Sequence, residues 1–460
     1  MDKAGTGERG FRRYMGLTFL IGFGFFTMGL MDPLYDTYVP IFLRRFLSSN
    51  AAVGGIMTLD NILQLFLIPV ISVWSDRTRT RLGRRMPFIL VELPMAALLF
   101  SLIPPMASWS LPALLGIVFC FNIFKTSVRG PVVALMPDTI PGDYRSEANG
   151  VINMMGGIGL IVSTLFLARL IGVPSPLGAF FEGALPFNIA SLGIIAAVLV
   201  LLAFVREKLP EKTGESEERV PVLRSIRQIF GAESRDGSLD KAPGAGLEAG
   251  TGRESGIGAG NTRKDASVAR ILLSIFFWFT AYEGAKPFLG LFLVETMGVS
   301  DGNAALAQGV AGISSVIMAV PCGYLAHRLG RRRFIRISLV FLAAILALIP
   351  ICGFLGARAG LGPSGALGIF LVLMFLYGAV WIGVTVNSFP MLWQIANFGN
   401  MGIYTGLYYT FSQGAAILAP PVTGLIIDLA GFWGIFIFGS LCMLAACFTM
   451  GGVKAGEPQK

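Results

Sequence analysis

The sequence predicts an all-α membrane protein of twelve transmembrane helices in two six-helix halves, with both termini cytoplasmic. Three observations carry this expectation. Hydrophobic residues make up 54% of the chain and charged residues only 14%, whereas soluble domains carry about 25% charged residues. A surface so poor in charge is accounted for if most of it faces lipid. The apolar residues gather in about twelve runs, near 15–43, 51–74, 87–106, 111–136, 147–172, 186–205, 268–294, 304–326, 334–356, 367–393, 400–427 and 432–450. An arginine-rich element then recurs at the same place in each set of six runs.

Run length makes the spans helical. A spanning helix needs about 20 apolar residues, whereas a barrel strand needs about 10 with alternation. Runs such as 189–205 and 334–355 are long and unalternating. Backbone groups in lipid must be satisfied within the segment, which selects helix. The first run contains Asp32 and Asp36 and no small-residue cleavage site at its end, so it is expected to be a retained membrane helix. Several runs exceed the minimum length, which implies tilt or kinks. Pro33, Pro40, Pro69, Pro131, Pro321, Pro390 and Pro420 are the kink candidates. The five cysteines lie inside apolar runs and read as small packing residues.

Domain organisation follows from composition. The halves are expected over 1–205 and 268–453, with a cytoplasmic linker over 206–267 and a cytoplasmic tail over 454–460. The linker is rich in Gly and Ser, balanced in charge and poor in aromatics. Its stretch 231–261 is expected to be disordered. Val220, Leu223, Ile226 and Phe230 recur at helical spacing with arginines between them, which suggests a short helix on the membrane surface.

Orientation comes from loop arginines. The connection after the second run holds Arg77, Arg79, Arg81, Arg84 and Arg85. The one after the eighth holds Arg328, Arg331, Arg332, Arg333 and Arg336. Both are expected to be cytoplasmic, and an even number of spans puts the termini and the linker there too. Arg44 and Arg45 fall on the outer side, against the trend. The core Leu-Gly-Arg-Arg closes both loops, at Leu82–Arg85 and at Leu329–Arg332. Such a parallel repeat of six helices points to a substrate site near mid-membrane between the halves.

At these residues the sequence resembles the major facilitator superfamily. Its hallmark between helices two and three is Gly-x-x-x-Asp-Arg-x-x-Arg-x-x-x-Arg. Here Ser72 stands in the glycine position and is followed by Asp76, Arg77, Arg81, Gly83, Arg84 and Arg85. The resemblance implies the major facilitator fold, a helical transporter that works as a monomer. Within the superfamily, Ser75–Phe88 and Arg129–Asp138 are similar to the sugar–cation symporters, especially the sucrose–proton symporter-like branch. Asn122 matches that branch's asparagine, and Val118 stands where it has an aspartate. The resemblance implies that the loop-two charges lock one conformation. Asp76, Arg77, Arg81, Gly83, Arg84 and Arg85 carry the lock, and Asp138, Arg145 and Glu147 are the expected partners.

An ionised side chain at mid-bilayer costs about 2.5–3.5 kcal/mol on insertion scales, so such residues usually face a cavity or a partner. Asp32 and Asp36 share a face of the first run, Asp60 lies in the second, and Asn122, Lys125 and Arg129 form a stripe on the fourth. Glu283 and Lys286 are three apart on the seventh. Asp32, Asp36, Asp60 and Glu283 are candidates for proton binding, because an acid in a poorly solvated cavity can load and release a proton. Lys125, Arg129 and Lys286 are counter-charges or donors to substrate hydroxyls. Static ion pairs that fix helix packing are the other reading. Sugar binding needs flat apolar faces and amide or hydroxyl partners, which Trp278, Tyr282, Trp381, Asn387, Tyr404, Tyr408 and Gln413 could offer; plain packing or lipid-facing aromatics are the alternative.

Other chemistries lack a motif. The sequence shows no metal-ligand spacing, phosphate loop, nucleophile signature or nucleic-acid module, and the net charge of +9 comes largely from the two arginine loops. His327 falls in a loop. The expectation is a non-enzymatic, multi-pass protein of the plasma (inner) membrane. It needs no cofactor, and its partners are the lipid bilayer and a small-molecule solute, with no nucleic acid. The coupling ion is expected to be the proton, with sodium open. Exporters of drugs or organic anions, and a non-transporting solute sensor, are the competing readings.

Overall fold

In the computed structural model the described residues are 4–141, 144–207, 258–358, 360, 362–393 and 401–453. Twelve helices among them are long and apolar enough to cross a membrane. They are α1 (Arg12–Arg44), α2 (Asn50–Arg77), α3 (Met86–Trp109), α4 (Leu111–Thr139), α5 (Glu147–Leu170) and α6 (Leu185–Phe204) in the first half. The second half holds α7 (Ser267–Thr296), α8 (Asp301–Leu329), α9 (Arg331–Gly356), α10 (Ser364–Leu392), α11 (Gly406–Ala430) and α12 (Gly434–Gly451). Among the described residues, the only β-pairing is an isolated bridge from Thr80 to Gly83.

The two halves pack alike. In the first, α1 lies on α5 and α6, α2 on α4, and α3 on α4 and α6. The second repeats this pattern, with α7 on α11 and α12, α8 on α10, and α9 on α10 and α12. Close approach of α1 and α5 needs glycine: a methyl on Gly29 would run into the Gly156 carbonyl. Between the halves, α2 packs on α11 and α5 on α8.

The helices run unbroken through Pro33, Pro40, Pro69, Pro131, Pro321, Pro390 and Pro420. Interruptions fall elsewhere. The second span breaks at Thr58, whose hydroxyl donates to the Gly55 carbonyl at 2.8 Å. The seventh tightens into a 3-10 turn over Lys286–Phe288, then widens into a π turn over Phe292–Thr296. Pro287 has no N–H to give the helix ladder, which places that break directly after Lys286.

The helix of the seventh span begins at Gly258, inside the stretch expected to be linker. Residues 208–257 of that linker, with the expected surface helix at Val220–Phe230, and the tail 454–460 lie outside the described residues.

The end away from the arginine loops is where the halves clasp each other. Arg44 pairs with Glu295 at 3.1 Å, and the Tyr38 hydroxyl donates to the Asp301 carbonyl at 2.9 Å. Asp428, at the end of α11, accepts from the Ser49 hydroxyl, from the Asn50 backbone and side-chain amides, and from the Ala51 N–H. One carboxylate thus caps the start of α2 across the interface, where the helix dipole favours negative charge. The Arg44–Glu295 pair also accounts for an arginine that the loop-charge pattern left anomalous.

Candidate functional site

Two cavities meet between the halves. The polar one is about 160 Å³ and is walled by Asp32 and Asp36 from α1, Asp60 and Gln64 from α2, Lys125 and Arg129 from α4, Glu283 and Lys286 from α7, and Gln413 from α11. The other is about 260 Å³ and mostly apolar, walled by Tyr282, Tyr377, Trp381, Met374 and Phe436. Asp32, Asp36 and Lys286 line both.

Lys125 is the centre of the charge cluster. Its Nζ lies 3.0 Å from Asp32 Oδ1 and 3.7 Å from Asp60 Oδ2, and 4.4 Å above the Tyr35 ring. The lysine side chain is only 7% exposed, so three helices and an aromatic face hold one ammonium out of water. Asn122 Nδ2 donates to the Tyr35 hydroxyl at 2.8 Å, which fixes that ring. Lys286 reaches across the interface to Asp36 Oδ2 at 2.8 Å. It therefore pairs with an acid of the other half and not with Glu283, three residues before it. Asp60 Oδ1 is buried with no protein hydrogen-bond partner among the described residues. Arg129 is exposed and makes a long contact of 3.5 Å to Gln64 Oε1.

The apolar cavity carries stacked rings. Tyr282 and Trp381 lie parallel, with centroids 4.5 Å apart at 8°. Tyr377 continues the ladder at 6.3 Å from Trp381, again at 8°. Other candidates lie outside both cavities. Trp278 is fully buried in the core. Asn387 is buried and donates to the Gly383 carbonyl at 2.8 Å, and Tyr408 bonds Ser388 at 3.1 Å. Tyr404 lies on the helix of the eleventh span, and its side chain is outside the described residues.

The loop after α2 forms a compact ion-pair cluster. Arg85 holds Asp76, and its Nε donates to Asp138 Oδ2 at 2.9 Å. Arg84 reaches Asp138 at 3.1 Å. Glu207, just past α6, accepts from the backbone N–H groups of Arg84 and Arg85 at 2.8 Å each. It caps the start of α3 and sits where any side chain on Gly83 would be, and Gly83 has φ +113°. Arg145 donates to the carbonyls of Pro137 and Ile140 and not to an acid of the cluster. Arg77, Arg81 and Glu147 are exposed.

Sequence reasoning missed Tyr35, Tyr377, Glu207, Glu295 and Asp428. Tyr377 had a signal, since it lies four residues before Trp381 and so shares its helix face. The acids had none, because Glu207 and Asp428 act on helix starts, and Glu295 on a guanidinium, remote in sequence.

Comparison with known proteins bears on the same features. The family model described as Major Facilitator Superfamily matches residues 15–420 and 271–459. The chain is 25% identical over 222 residues to an isoprimeverose transporter of Lactiplantibacillus pentosus, covering 44% of each chain. It is 28% identical over 223 residues to an uncharacterized symporter of Synechocystis sp., covering 44% of this chain and 38% of that one. The matched stretch is thus less than half the length of either relative. A D-xylose-proton symporter structure superposes with a TM-score of 0.64 at 13% identity, covering 94% of this chain and 96% of that one. The fold of two like-packed halves around a charged cavity, with a family match along nearly its whole length, makes this chain a member of the Major Facilitator Superfamily.

Proposed function

We propose that the protein is a secondary active transporter that carries a sugar or glycoside across the membrane by alternating access, coupled to protons. The observation that carries this reading is the junction of the ring ladder with the charge cluster. Tyr282, Trp381 and Tyr377 present flat faces of the kind that stack on a sugar ring. Beside them stand acceptors and donors for hydroxyl groups in Asp36, Lys286 and Gln308. An isoprimeverose transporter and a D-xylose-proton symporter among the similar proteins agree with a sugar cargo.

Charge supplies the coupling. Around the polar cavity stand four acids, Asp32, Asp36, Asp60 and Glu283, against three bases, Lys125, Arg129 and Lys286. One negative charge is in excess, and a proton neutralises it. Asp60, with an unpartnered buried oxygen and a shared lysine, is the acid we assign to it. Protonation of Asp60 leaves Lys125 to Asp32 alone. Loss of the Lys286–Asp36 pair to a bound hydroxyl would release one of the contacts that join the two halves. The Asp76–Arg85–Asp138 cluster, with Arg84, braces the α2, α3 and α4 ends as one unit during that movement. Under the orientation expected from loop arginines, the clasped end is extracellular and the site loads or empties toward the cytoplasm.

The test is uptake of radiolabelled isoprimeverose, D-xylose, sucrose and maltose into proteoliposomes, with an inward proton gradient, a sodium gradient or neither. Proton-driven accumulation is expected, and Asp60→Asn should abolish accumulation while sparing exchange of solute down its gradient. Uptake of none of the four would remove the sugar assignment. Exposed Arg129 favours the second reading, an exporter of organic anions, which outward flux of a fluorescent carboxylate dye would reveal.

A further inference from the structure

The Leu-Gly-Arg-Arg element occurs in both halves, but its surroundings differ. In the first half Asp76, Asp138 and Glu207 take up Arg84 and Arg85. In the second half, among the described residues, no salt bridge joins a carboxylate to Arg332. Between Gly302 and Val453 the sequence holds one acid, Asp428, and it caps α2 at the opposite end. Arg332 donates to the Gly451 carbonyl at 2.8 Å, at the end of α12. Arg333 and Arg336 are exposed and form no ion pair among the described residues.

These arginines stand at the mouth of a groove between α9 and α12, of about 530 Å³. Its other walls are Ile337, Val340 and Phe341 of α9 and Cys447 of α12. Arg333, Arg336, Ile337, Val340 and Phe341 follow helical spacing along one face of α9. The three apolar side chains are 42%, 51% and 58% exposed, so the groove runs from cationic to apolar along the direction of the span. A free anion would suit the arginines and leave the apolar wall bare. A phospholipid matches both ends, because its phosphate accepts from guanidinium groups and its chain covers the wall.

We propose that the α9–α12 groove binds an anionic phospholipid, with its phosphate on Arg333 and Arg336 and an acyl chain along Ile337, Val340 and Phe341.

Native mass spectrometry of the full-length protein, purified from membranes supplemented with phosphatidylglycerol, tests this. The parent should retain that lipid in preference to phosphatidylcholine. Arg333→Gln with Arg336→Gln should weaken retention roughly 30-fold, from loss of two arginine contacts. Arg12→Gln with Arg79→Gln removes the same charge elsewhere on the arginine-loop side and should leave retention unchanged. Phe341→Ala should reduce retention of phosphatidylglycerol. Equal retention in the groove and control variants overturns the proposal, as does displacement of the lipid by millimolar inorganic phosphate, which would mark a simple anion site. Size-exclusion profiles of the variants separate loss of lipid from loss of fold.

Discussion

Lys125 shows how one residue decides both stability and chemistry. It neutralises Asp32 and Asp60 while almost fully buried, so its removal strands two carboxylates. Breaking a buried pair from one side costs about 3–5 kcal/mol. Lys125→Ala should therefore lower the melting temperature in detergent clearly, and adding Asp60→Asn should recover part of the loss. If the double variant is no more stable than the single one, the ion pairs are not what the lysine provides. Two tryptophans make a second contrast. Trp381 stacks on Tyr282 in the cavity wall, and Trp381→Ala should raise the transport KM about tenfold with little change in maximal rate. Trp278 is enclosed in the core, and Trp278→Ala should cost about 3–5 kcal/mol of stability. Uptake kinetics and thermal unfolding on the same preparations separate the two roles.

Among the elements, α2 and α7 carry breaks that sit beside cavity charges. Thr58 ends the first segment of α2 two residues before Asp60, and the Lys286–Phe288 turn of α7 carries Lys286 itself. A helix that changes pitch at a charged residue can redirect that side chain without losing the rest of the span. The clasp works at this scale too. Asp428→Asn keeps the shape of the cap and removes its charge, so the grip on α2 weakens. Spin labels at Phe46 and Ser300, in a cysteine-free background, should then show about tenfold more of the separated state. An unchanged distance distribution would mean that Arg44–Glu295 and Tyr38–Asp301 hold the clasp without it.

For the whole molecule, the repeat of helix packing between halves makes a rocking motion natural, because each half repeats the same set of internal helix contacts. Most of the long linker lies outside the described residues. Deleting 231–261 should leave proton-driven uptake within a factor of about two of the parent. Loss of transport with normal folding would instead support a signalling role for that segment, as in the sensor reading.

The sequence by itself determined the twelve spans, the two halves and the members of the charge cluster. These depend on local quantities: run length against bilayer thickness, and the cost of charge in lipid, which brings Asp32, Asp60, Lys125, Glu283 and Lys286 to notice wherever they point. Only the tertiary structure decided the pairing. Spacing suggested Glu283 for Lys286, yet the partner is Asp36, because the turn at Pro287 and the α1–α7 contact bring the other half closer. Trp278 and Trp381 look alike in sequence, and only packing sends one to the core and the other to the cavity. Asp428, Glu295 and Glu207 carried no local sign, since each is defined by a helix end or a guanidinium that the fold brings to it.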